Sequence, residues 1–204
     1  MLRGVSHQLA FLCAAGAGAV LVAMSPTAHA ALATAIYAAS LVAMFGVSAT
    51  YHRLARSPRA RAFWKRADHA TIFLFIAGTY TPICLLAVGG AAGARLLALV
   101  WIGAAAGALQ AILWPHAPRA LSAALYVALG WVLLAYWNRV AATLGAAPQI
   151  LVVVGGALYT AGAVVYALRR PDPSPRVFGY HEVFHVLVIA ASVCHFAAVI
   201  ALVR

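Results

Sequence analysis

The sequence predicts an all-α integral membrane protein, a seven-transmembrane helix bundle forming one domain over residues 1–204. Three observations carry this reading. The chain is 66% hydrophobic and only 8% charged, with a mean hydropathy of +0.97. Soluble domains carry about 25% charged residues, so this chain could not cover a water-facing surface. Its apolar runs are about 20 residues long, the length that crosses a roughly 30 Å hydrocarbon core. They lack the alternation of apolar and polar residues, in segments of about ten, that marks a membrane barrel.

The first run, residues 8–24, follows Arg3 and ends in Ser25-Pro26-Thr27-Ala28-His29-Ala30-Ala31. A basic start, an apolar core and an A-x-A-like end also describe a secretory signal peptide. The core length of about 17 residues favours a retained helix. The second run, 31–52, carries Ser48 and His52 on one face of its last turn, spaced i, i+4. Arg53, Arg56, Arg59, Arg61, Lys65 and Arg66 then read as a basic loop, broken at Ser57-Pro58, with Phe63 and Trp64 at the interface. The third run, 69–88, opens on Asp68-His69, and Asp68 shares a helical stripe with Thr79, close to three turns on. Pro82 deprives the Gly78 carbonyl of its donor, a loss that Thr79 or Thr81 could make good. The remaining runs are 94–114, 119–137, 149–168 and 181–203, with a Pro-rich loop holding Asp172 before the last. Cys13, Cys84 and Cys194 fall inside apolar runs, with no disulfide or cysteine-zinc spacing.

The net charge of +11 invites a nucleic-acid reading, but its distribution opposes one. Seven alternating spans put Arg3, the six cations of 53–66, Arg119, Arg169, Arg170 and Arg176 on one side, eleven of the fourteen Lys and Arg. Arg95, Arg139 and Arg204 fall on the other. The positive-inside rule gives a cytoplasmic N-terminus and an outside C-terminus. The charge then serves topology and attraction to anionic membrane lipid, with no nucleic acid needed. No protein partner is legible.

That orientation brings Ser48 and His52, Asp68, and His181 and His185 to one depth near the cytoplasmic interface. Histidine is costly in a membrane helix and is rare there without a partner. Three imidazoles with an open position are the ligand set of a catalytic zinc site. Zinc would acidify a water to near neutrality, Asp68 would serve as general base, and Ser48 would hydrogen-bond a ligand or help hold a developing oxyanion. His181-Glu182-Val183-Phe184-His185 also spells H-E-x-x-H, which in a zinc protease makes Glu182 the base, with Asp68 as a third ligand. That alternative leaves Ser48 and His52 without a role. Glu182 reads instead as an acid at the positive end of a helix dipole. His69 reads as interfacial or packing, His195 as bonding a neighbouring helix or lining a cavity, and His7, His29 and His116 as interfacial.

Ser48-Ala49-Thr50-Tyr51-His52, Arg66-Ala67-Asp68-His69, Gly78-Thr79-Tyr80-Thr81-Pro82 and Phe178-Gly179-Tyr180-His181-Glu182-Val183-Phe184-His185 closely resemble bacterial hemolysin III proteins. These belong with the progestin and adipoQ receptors, a superfamily similar in turn to alkaline ceramidases. The resemblance covers essentially the whole chain. It implies zinc on His52, His181 and His185, a water between the metal and Asp68, Ser48 close by, and a replaceable residue at Glu182. It matches His7 to a histidine common near the start of the first helix, whereas Met1-Leu2-Arg3 lacks an acid often found there. It implies a bacterial cytoplasmic (inner) membrane location. The function expected is hydrolysis of a lipid amide or ester held within the bundle. The alternative is a pore-forming, cytolytic or membrane-homeostasis role with structural zinc.

Overall fold

A computed structural model describes residues 4–204; Arg3 and the departure at Met1-Leu2-Arg3 lie outside the described residues. Seven helices are long and apolar enough to cross a membrane: α1 (Val5–Ala23), α2 (Ala28–Arg53), α3 (Pro58–Val88), α4 (Gly90–Leu113), α5 (Arg119–Thr143), α6 (Ala146–Leu168) and α7 (Tyr180–Val203). Apart from a single bridge between Ser174 and Phe178, the described residues form no β-structure.

Chain neighbours pack on one another, and α7 returns to α1 and α3. The most buried span is α3, which touches α2, α4, α5 and α7. It serves two packing clusters. Phe73 joins Leu96 and Val100 of α4, while Phe75 joins Tyr37 and Leu41 of α2. Close approach depends on small residues. A Cβ on Gly107 would strike the Phe73 ring, and one on Gly78 would strike Ser40.

Three expectations are corrected. The basic stretch is mostly helix: α3 starts at Pro58, so Phe63, Trp64, Lys65 and Arg66 lie on it. Ser57 caps this start by accepting the Ala60 N–H at 3.2 Å, and Pro58 supplies a preset first-turn φ. Thr79 and Thr81 do not serve the Gly78 carbonyl; their hydroxyls donate to Phe75 and Ala77, both at 2.9 Å. Beyond Pro82 the backbone widens into a π-helical stretch, Ile83–Val88, that stops at Gly89 with φ 63°.

The fifth span is not one regular helix ending at 137. It is α-helical over Arg119–Trp131, tightens to a 3₁₀ stretch at Val132–Tyr136, and resumes as Trp137–Thr143. Irregular backbone at membrane depth needs partners from within the protein. Tyr80 of α3 supplies them. Its hydroxyl meets the carbonyls of Leu129 and Gly130 at 3.1 and 2.6 Å and accepts the Leu133 N–H at 2.8 Å.

Candidate metal centre

The first turn of α7 is built by both acids that precede or enter it. Asp172 accepts the Tyr180 N–H at 2.8 Å, and Glu182 accepts the Gly179 N–H at 3.0 Å. Helix-start N–H groups lack intrahelical acceptors, and carboxylates there also meet a favourable dipole. Glu182 is therefore the helix-start acid that its position indicated. Asp172, exposed in the Pro-rich loop, helps to order the entry into α7.

His181 and His185 follow within this turn and the next. They meet His52 from the last turn of α2. The Nε2 atoms of His181 and His52 stand 3.1 Å apart. Ring centroids lie 4.5 Å apart for His181–His185, 4.8 Å for His52–His181 and 5.1 Å for His52–His185. One nitrogen from each ring falls within 4.8 Å of the others, so the cluster could hold a metal ion. The fit is chemically sensible. Nitrogen ligands at 2.0–2.1 Å in a tetrahedron sit about 3.3 Å from one another. Three neutral imidazoles also leave such an ion a further position for a small ligand.

His181, His185, Ser48 and Asp68 line one cavity of about 140 Å³ that runs down the bundle to Thr79, Tyr159 and His195. Phe75, Ile76, Phe184 and Val188 are among its apolar walls. Ser48 is buried and close enough to the Asp68 carboxyl to act on it as a hydrogen-bond partner. Asp68 is not a member of the nitrogen cluster.

His7 departs from its expected interfacial place. It is not interfacial but buried, and its ring stacks on His185 with centroids 3.7 Å apart and planes at 11°. Phe45 meets its edge at 5.0 Å. Just before it, Gly4 adopts φ 80°, and a Cβ there would fall 2.6 Å from the His52 Cβ. The start of α1 thus covers two of the three clustered rings, a role that no local pattern around His7 announced. His29 and His116 are exposed at helix ends. His69 packs as expected, its Nδ1 on the Lys65 carbonyl at 2.8 Å and its Nε2 on the Tyr166 hydroxyl at 3.0 Å. His195 does both things foreseen for it, lining the cavity and contacting the Val152 carbonyl at 3.1 Å.

Fold and site together define a multi-pass, seven-helix membrane protein with a three-histidine cluster near one end of the bundle. Residues 1–196 match the family model described as "Haemolysin-III related". The chain belongs to this family. It is 28% identical over 174 residues to "Hemolysin-3" of Bacillus cereus, covering 85% of this chain and 76% of that one. The "Hemolysin-3 homolog" of Bacillus subtilis is 27% identical, with 81% and 74% covered. A plant relative, "Heptahelical transmembrane protein ADIPOR2" of Oryza sativa subsp. japonica, is 32% identical over 184 residues, 80% and 79% of the two chains.

Proposed function

We propose that the protein is a zinc-dependent hydrolase of lipid amide or ester bonds, with zinc held by His52, His181 and His185. The observation that supports this most strongly is the shared cavity: two of the clustered histidines, Ser48 and Asp68 line one end of an otherwise largely apolar chamber. When bound, zinc would supply Lewis acidity toward the acyl carbonyl and a water able to attack at neutral pH. Asp68 acts as general base, taking the proton of the attacking water. It returns that proton to the amine or alcohol as the acyl–N or acyl–O bond breaks, leaving a fatty acid. Ser48 orients the Asp68 carboxyl. The apolar walls from Phe184 to Val188 hold the acyl chain and exclude bulk water.

The positive-inside rule supports a cytoplasmic location for the histidine end, with the N-terminus inside and the chain in a bacterial inner membrane. The stack of His7 on His185 supports a retained first helix. Glu182 has no catalytic role, because its carboxylate caps α7.

The test is metal-loaded protein in liposomes, offered ceramides and phospholipids, with released fatty acid measured by mass spectrometry. Wild type releases fatty acid, and Asp68→Asn releases at least about 100-fold less while retaining its zinc. No release from any lipid by the zinc-loaded wild type would falsify the hydrolase reading. The name of the Bacillus cereus relative supports a second reading, a cytolytic pore with structural zinc. Dye leakage that is equal for wild type and Asp68→Asn would favour it.

A further inference from the structure

A second cavity, of about 370 Å³, opens at the same end of the bundle between α3, α4, α5 and α6. We propose that it is a binding site for a phosphate group, adjoining the histidine cavity across His69 and Tyr166. Four cations line it, Lys65, Arg66, Arg119 and Arg169, and no Asp or Glu does. Three of them, Lys65, Arg66 and Arg119, are half-buried. Half-buried cations gathered without a carboxylate are costly unless an anion joins them.

The contacts of Lys65 and Arg119 orient their charge without neutralising it. Lys65 Nζ meets the Pro115 carbonyl at 3.5 Å. The Arg119 guanidinium lies over the Tyr166 ring, 5.5 Å from its centroid, and donates to the Tyr180 hydroxyl at 3.0 Å. Both amide atoms of Gln110, on the wall of this cavity, are buried with no hydrogen-bond partner among the described residues. A buried amide left in that state is costly, and a ligand oxygen accepting from its NH₂ would relieve it. The N-terminus of α5 faces the same space and has no side-chain cap, so its first N–H groups add donors suited to an anion. The volume lies within the roughly 300–1,000 Å³ of small-molecule sites.

Phosphate is the anion that fits the place. The cavity sits at the ends of α4 and α6 and the start of α5, the level at which phospholipid headgroups lie, and basic pockets between helices there take phosphate headgroups. The ligand is a phosphate monoester, borne by a lipid or by a small soluble metabolite.

The test uses full-length protein in phosphatidylcholine nanodiscs at about 0.15 M salt, where distant surface charges are screened. Inorganic phosphate, glycerol 3-phosphate and dihexanoyl phosphatidic acid are titrated separately. Saturable binding of at least one probe is expected. The double variant Lys65→Gln/Arg169→Gln weakens it by about tenfold or more, as expected for losing charge-assisted contacts. Arg56→Gln/Arg59→Gln, which removes two cations from the same end outside the cavity, weakens it by less than about twofold. Binding of phosphatidic acid alone identifies a lipid source; comparable binding of glycerol 3-phosphate or inorganic phosphate identifies a soluble one. Should the double variant not fold, Gln110→Glu, isosteric and acidic, gives the same loss. No saturable binding of any probe, or equal loss in the two double variants, overturns the site. Chelation of metal leaves the binding unchanged, so failure here and failure of the hydrolase reading are separately visible.

Discussion

The bundle contains two polar layers, and they are organised in opposite ways. One is the histidine layer at the end of α2 and the start of α7. The other lies about 15 Å deeper, the rise over the ten residues from His185 to His195. In the deep layer each polar group is mostly closed onto a neighbour. Ser192 donates to its own Val188 carbonyl at 2.8 Å and accepts from Tyr159 at 2.8 Å. His195 takes the Val152 carbonyl, and Thr79 donates to Phe75. The remaining His195 Nδ1 is buried without a hydrogen-bond partner among the described residues. In the histidine layer, nitrogens from three rings instead aim at one small volume, within 4.8 Å of one another. Polar atoms closed onto backbone or neighbours hold helices together. Nitrogens converging from two helices make a ligand set, and the apolar solvent sharpens this contrast because partners there are scarce.

Substitutions can break this division or sharpen it. The largest effect is expected from His185→Ala, which removes one of the proposed ligands. Zinc affinity, read by competition with a chelator, falls by more than about 100-fold, beyond the 10–100-fold typical of groups that only support a ligand. Unchanged zinc content in this variant would dismantle the proposed centre. Asp68→Asn comes next. It keeps the metal and loses about 10²–10⁴ in the rate of lipid cleavage, the usual range for a general base. His7→Phe preserves an aromatic stack on His185 but changes its electronics and polarity. Zinc affinity drops by about tenfold, as for a supporting group, and a drop matching that of His185→Ala would make His7 a ligand instead. Tyr159→Phe in the deep layer has the smallest effect. Thermal unfolding in detergent should register about 0.5–1.5 kcal/mol of lost stability, with zinc content unchanged. A loss of metal in Tyr159→Phe would erase the distinction between the layers.

Much of this arrangement was legible in the chain. Hydropathy alone locates all seven spans, and their alternation puts Ser48, His52, Asp68, His181 and His185 at one end. Depth is a one-dimensional quantity, and helix order with residue count determines it. What escaped was lateral or long-range. The first turns of α3 were hidden because four cations, Arg59, Arg61, Lys65 and Arg66, lower its hydropathy, although Ser57-Pro58 is a helix start signal. The break in α5 has no marker in residues 132–136 themselves; its explanation is a hydroxyl on α3, about 50 residues earlier in the chain. His7 looked interfacial because it lies near the end of a run. Only the packing of α1 against α7 brings it onto His185. The resemblance of the first helix to its family held the one hint.

The two carboxylates at the start of α7 have a consequence for how the protein meets membranes of different thickness. A transmembrane helix answers a thicker or thinner bilayer by tilting. Asp172 and Glu182 order the first turn of α7 at the amides of Tyr180 and Gly179, and the Tyr180 hydroxyl accepts from Arg119 of α5 at 3.0 Å, so a tilt of α7 that keeps these contacts pivots there. Val203 lies about 35 Å away along the axis, and a tilt of roughly 10° swings that end by about 6 Å. The same tilt moves His181 by less than about 0.5 Å and His185 by about 1 Å. The clustered histidines therefore sit near the fulcrum, where changes in lipid composition alter their geometry least.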